Sequence, residues 1–153
     1  MSIPWLYLNF KKATEEVLRD YNSMKYIIDN TDEKIKSIRE DMSSVQSPSW
    51  NGMPKTFNPN ANEEKLMNGI DEINMLQERY RQAVEFMDWF LPAWNHLTED
   101  ERFMLHEFYM SSPEDQLTAR YTVAERFNID ESYSYRKKNR ALAKLTTLLY
   151  GKN

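Results

Sequence analysis

No cysteine occurs among the 153 residues. That absence excludes a disulfide framework, a thiolate zinc site and a cysteine nucleophile, and it leads us to expect a reducing, cytoplasmic setting. Glycine is nearly as scarce, with 3 in the chain, whereas phosphate-cradling loops and dinucleotide folds need several wherever backbone must approach a ligand closely. The two histidines, His96 and His106, have no second metal ligand at helical spacing. Carboxylate neighbours such as Glu15-Glu16, Glu63-Glu64 and Asp71-Glu72 are adjacent on expected helices and point apart, unlike paired acids in a cleft. No enzyme, no cofactor and no metal is expected. Long hydrophobic runs are missing too. The apolar opening that ends at Phe10 is too short to span a bilayer and precedes its lysines, opposite to a secretory signal, so no membrane partner is expected. The length admits one or two small domains and excludes a large catalytic architecture.

What the chain does have is an uneven charge. The net charge is −4, yet residues 1–117 carry 12 Lys+Arg against 21 Asp+Glu while residues 118–153 carry 8 against 3. Basic charge gathered at one end of an acidic chain points to an anion-binding module at that end.

The fold expected is all-α. Apolar or bulky residues recur at alternating steps of four and three from Phe10 through Thr14, Val17, Tyr21, Met24, Ile28, Thr31, Ile35, Ile38 and Met42 to Val45, with mixed charges between them. This heptad seam predicts one long helix over roughly 5–44. A stretch with several Pro, Ser and Asn follows and predicts a loop at about 45–61, which carries the unusually apolar Trp50, Met53 and Phe57. Helical spacing resumes at Leu66, Ile70, Ile73, Leu76, Tyr80, Val84, Met87, Leu91 and Trp94, with Asn62 as the expected N-cap and Pro92 expected to kink the helix or begin a new turn. Residues 1–95 would then form a long antiparallel helical hairpin. That hairpin leaves Trp5, Phe86, Trp89, Phe90 and Trp94 poorly covered, so they are expected to pack on the C-terminal helices or on a second copy in a homodimer.

Residues 96–153 predict a second, three-helix domain. Thr98-Glu-Asp-Glu is a capping box that starts a helix with a buried stripe of Met104, Leu105, Phe108 and Tyr109, and Ser111-Ser112-Pro113 ends it. A short helix over about 118–127, a turn at Asn128-Ile129-Asp130 and a last helix capped by Asp130 and closed by Gly151 form a helix-turn-helix. The second helix of such a motif enters the DNA major groove. With Ala141, Leu142, Leu145 and Leu149 facing the core, Tyr133, Lys137, Arg140 and Lys144 fall on the opposite face, flanked by Arg136. Glu131, Ser132, Tyr133 and Arg136 are placed to reach base edges; Lys137, Arg140 and Lys144 are placed for backbone phosphates, and Arg120 completes the candidate DNA-binding set.

Leu97-Thr-Glu-Asp-Glu-Arg-Phe-Met-Leu, Val123-Ala-Glu-Arg-Phe-Asn-Ile-Asp and Ser134-Tyr-Arg followed by Arg140-Ala-Leu-Ala-Lys-Leu together resemble the promoter-reading region four of bacterial sigma factors. Joined to a helical N-terminal arm, the chain is similar to small sigma-like phage and prophage regulators of the ArpU type. The resemblance implies binding of double-stranded DNA and control of phage or prophage late genes, with family roles carried over to Arg136, Lys137 and Arg140. Three positions depart from the family pattern. Asn128 stands where Gly is preferred, Asp130 where Ser is preferred, and Ser134 where a β-branched apolar residue is usual, which is expected to weaken the core of the reading helix. No counterpart of the promoter-melting sigma region is visible. Two other functions remain open on the residues: an adaptor that grips RNA polymerase or a sigma factor without reading DNA, and a packaging component like a small terminase subunit, which would assemble as a ring.

Overall fold

The computed structural model describes residues 8–45 and 59–151, and over these the chain is helical with no strand. Helix α1 spans Phe10–Val45, α2 Pro59–His96, α3 Glu99–Leu105, α4 Pro113–Leu117, α5 Ala119–Phe127 and α6 Glu131–Tyr150. Trp5, Trp50, Met53 and Phe57 lie outside the described residues.

The helix ends differ from the sequence expectation for local reasons. The Asn9 side chain accepts a hydrogen bond from the Lys12 amide at 3.0 Å, an N-cap that starts α1 at Phe10 rather than near residue 5. Helix α2 begins at Pro59, where a fixed φ suits the first turn and the missing amide costs nothing, so Asn62 is inside the helix and does not cap it. Pro92 neither ends α2 nor starts a new turn, and the helix runs on to His96. Pro92 and Asp88, whose carbonyl loses its amide partner, are both exposed, so water can replace that bond.

The described chain divides into two compact units, and the division does not follow residue 95. One unit is Lys25–Glu85, the other combines the residues up to Met24 with those from Phe86 onward, so each long helix contributes to both.

In the Lys25–Glu85 unit α1 and α2 pack as an antiparallel pair. Thr31 and Ile35 of α1 are buried, as are Ile73 and Ala83 of α2. Ile70 is half exposed, off the seam that its apolar type predicted. Gly69 takes the inward place: a Cβ there would fall 2.7 Å from Met42 Sδ, so the absent side chain is what lets the helices approach. Outside the seam Arg81 bridges Glu78 (2.6 Å) and Glu85 (2.5 Å), and its hydrogen bonds hold the Glu78 carboxyl down at about 2.

The second unit has a core of Leu18, Phe90, Leu97, Met104, Leu105, Tyr109, Val123, Ala141, Leu142 and Leu145. Burying a side chain of that size is worth about 1.5–3 kcal/mol, before conformational entropy is set against it. Phe86 and Trp94 pack against this core, whereas Trp89 meets the Tyr150 ring edge-on at 5.6 Å but stays 41% exposed, so the C-terminal helices cover the first two and leave Trp89 largely open. Thr14 and Thr146 are fully buried with their hydroxyls 2.9 Å apart, while Thr14 donates to the Phe10 carbonyl.

The capping box at Thr98 forms in full, with Glu101 N donating to Thr98 Oγ1 at 3.2 Å and Thr98 N to Glu101 Oε1 at 3.0 Å. After Leu105 the backbone widens into a π turn over His106–Met110, closed by Ser111 N donating to His106 O at 2.9 Å. Helix α4, which the sequence reading left out, follows at once: Ser112 caps it through the Asp115 amide and Pro113 occupies its first position.

Candidate nucleic-acid interface

The corner between α5 and α6 is built by Asn128, whose φ of 50° and ψ of 53° place it in the left-handed region. Ile129 N donates to Ala124 O at 3.0 Å and Asn128 N to Glu125 O at 3.3 Å, the bond pair of a Schellman closure. Asparagine tolerates this conformation better than other residues with a side chain. Asp130 sits at the N-cap of α6 with extended backbone, but its carboxylate accepts the Ser132 hydroxyl at 2.7 Å and caps no amide.

Ser134 is fully buried and donates to the Arg120 carbonyl of α5 at 3.1 Å. The expected core weakness is thus a hydrogen bond between the two helices of the motif. A hydroxyl and its acceptor occupy the space that a β-branched side chain fills in the family pattern.

The inner side of α6 carries Ala141, Leu142, Leu145 and Thr146, all buried, and Arg136, Arg140 and Lys144 are exposed on the other side. Arg136 and Arg140 make no ion pair within the described residues. Lys137 is half-buried, its Nζ 5.2 Å from the Phe127 ring centre and 5.9 Å from that of Tyr133. Lys144 is committed to Glu101 at 2.8 Å, which ties the middle of α6 to the cap of α3. Burial alone would raise the Glu101 carboxyl, but hydrogen bonds from Lys144 and Thr98 outweigh it and hold the pKa below the usual carboxylate range.

Arg120 and Glu131 face each other across the corner at 3.9 Å. The Arg120 guanidinium donates to Tyr121 Oη at 2.6 Å, and hydrogen bonds to Tyr121 and then Tyr135 push its pKa up. Its Nε is buried with no hydrogen-bond acceptor among the described residues. Of the candidate residues, Ser132, Tyr133, Arg136, Lys137, Arg140 and Lys144 thus line the outward side of α6, whereas Arg120 and Glu131 pair with each other beside it.

Lys138, the remaining cation of the basic run, turns inward. Its Nζ contacts Tyr109 Oη at 3.2 Å beneath the Phe108 and Tyr135 rings, and burial pushes its pKa down. Tyr109 in turn donates to Glu15 at 3.3 Å, and burial followed by that carboxylate's charge pushes the phenol pKa up.

The sequence reading missed Arg126 and Arg102. Arg126 lies 4.0 Å above the Phe103 ring, and with Trp94, Glu99, Arg102 and His106 the two line a cleft of about 340 Å³. Phe103 and Phe127 meet edge-on at 6.1 Å, and Lys137 covers Phe127. A row of contacts, Arg126 on Phe103, Phe103 on Phe127 and Phe127 on Lys137, therefore leads from the cleft to α6. No local signal announces it, because Phe103 and Arg126 belong to different helices.

A larger groove, of about 730 Å³, lies in the other unit, but its charged lining holds Asp32 and Glu40 as well as Lys36 and Arg39 and so favours neither sign of ligand. Among the described residues no group of three or more His, Asp or Glu could hold a metal ion, and no helix is long and apolar enough to cross a membrane. Comparison with known protein families, curated proteins and solved structures finds no match.

Proposed function

We propose that the chain is a DNA-binding transcription regulator of the sigma-like phage and prophage type, working in the bacterial cytoplasm, with α6 as its reading helix. The observation that carries this reading is the side of α6 bearing Arg136 and Arg140. Both guanidiniums are exposed and unpaired by any carboxylate among the described residues, on a helix set off by a left-handed corner. Each exposed cation that meets a duplex phosphate releases condensed counterions, which supplies affinity without sequence preference. Arg140, Lys137 and Lys144 serve this role. Lys144 must share its charge with Glu101. Sequence preference would come from the first turns of α6, where Arg136 suits the paired acceptors of guanine and Ser132, Tyr133 and Glu131 flank it. One such module binds weakly, and a homodimer through the long helices would join two of them and raise the apparent affinity.

Titration of phage late-promoter duplexes with wild type, Arg136→Ala and Arg140→Ala tests the reading. Arg140→Ala should weaken binding to all sequences alike, and Arg136→Ala should cost about 1–3 kcal/mol at preferred sites and flatten the preference. Equal binding by all three proteins, or binding by none, overturns it.

A second reading is an adaptor that holds RNA polymerase without reading DNA. Exposed apolar groups support it: Leu117 is 82% exposed, and Tyr121, which lies under Arg120, is also exposed. Retention of polymerase on the protein after nuclease treatment, with no loss in Arg140→Ala, would favour the adaptor.

A further inference from the structure

The structure assigns a phosphate-binding site to the cleft between α3 and the end of α5, formed by Arg102, Arg126 and His106 against the Trp94 and Phe103 rings. Neither Arg102 nor Arg126 has a carboxylate within ion-pair distance among the described residues, and Glu99 is the only acid lining the cleft. The Arg126 guanidinium carbon lies 4.0 Å from the Phe103 ring centre. A guanidinium seated over a ring still has N–H groups to offer, and arginine can grip two oxygens of a phosphate at once. The neighbouring rings offer an apolar wall to whatever the phosphate carries.

Two sources supply that chemistry: a backbone phosphate of the duplex gripped by α6, or a free phosphate compound such as a nucleotide. Phe127 under Lys137 connects the cleft to the outward side of α6, so one duplex could reach both. The duplex source rests on the reading of α6 given above; the free-phosphate source does not.

Titration of the full chain with inorganic pyrophosphate, and separately with duplex DNA, tests the assignment in wild type, the double variant Arg102→Gln/Arg126→Gln, and Glu99→Gln. If the ligand is free phosphate, the double variant should bind pyrophosphate at least about tenfold more weakly, losing two charged hydrogen bonds, with duplex binding unchanged. If it is DNA backbone, the double variant should weaken all duplexes alike and reduce the slope of log K against log salt by one to two. In either case Glu99→Gln should tighten the responding ligand by about fivefold, since it removes a like charge a few ångströms from the phosphate. A gain of affinity cannot come from misfolding. Unchanged affinity for both probes in both variants overturns the site. If Arg140→Ala still weakens DNA binding in that case, the reading of α6 survives. Binding of neither probe by wild type overturns both.

Discussion

At the residue scale two positions carry the corner that gives α6 its exposure. Asn128 holds a φ of 50°, so Asn128→Ala should lower unfolding free energy in urea by about 1 kcal/mol, whereas Asn128→Gly should leave it close to wild type. Equal loss in both would contradict the left-handed corner. Ser134 fills its site with a hydrogen bond to Arg120 O. Replacing it with valine, the residue type of the sigma-like pattern, should destabilise by about 1–3 kcal/mol, because the branched side chain overpacks a closed contact and removes the bond. Stabilisation by valine would show that the packing of α5 on α6 differs from that described. The left-handed Asn128 was legible in the sequence because turn chemistry is local. The buried role of Ser134 was not, since its partner is fourteen residues away and a polar residue is ordinarily read as exposed.

Elements follow their periodicity except where one small residue shifts the register. Ile70 has the right chemistry for the α1–α2 seam, yet Gly69 lies there and Ile70 faces out. Ile73→Ala should therefore cost about 2–4 kcal/mol and Ile70→Ala under about 0.5 kcal/mol, read from the same denaturation midpoints. Similar costs would restore Ile70 to the seam. The two long helices were legible because many turns repeat one pattern. Helix α4 and the π turn before it were not: five residues hold too few turns for a period to show, and Ser112-Pro113 reads equally as a stop for one helix and a start for the next. In α6 the core face was legible from its leucines, but the inward turn of Lys138 required knowing that Tyr109 and Glu15 wait for it.

For the whole molecule, charge links stability to function. Glu101 is held below the usual carboxylate value, near 4.3, by Lys144 and Thr98 against the opposing effect of burial. A depressed folded pKa means that the unfolded chain takes up the proton first. The stabilisation is thus complete above the ordinary carboxylate range and is lost as pH falls through the folded value. Unfolding measured between pH 7 and 2 should show Glu101→Gln with a shallower acid loss than wild type; superimposable profiles would remove the Lys144–Glu101 link from the account. The same pair sets how much of the positive charge on α6 remains for a ligand, because Lys144 is committed to Glu101 while Arg136 and Arg140 are not. The asymmetry of charge along the sequence placed the excess of cations on the last helices. It did not foretell which cations would be free, because that depends on pairs between helices distant in sequence.

The central claim, that the outward side of α6 grips duplex phosphates, is tested most directly by the salt dependence of duplex binding. Plotted as log K against log salt, wild type should fall with a slope between about −2 and −3, about −0.9 for each phosphate met by Lys137 and Arg140 and less for Lys144, whose charge Glu101 shares, and Arg140→Ala should flatten it by close to one. A slope near zero, or one that Arg140→Ala leaves unchanged, would contradict the account.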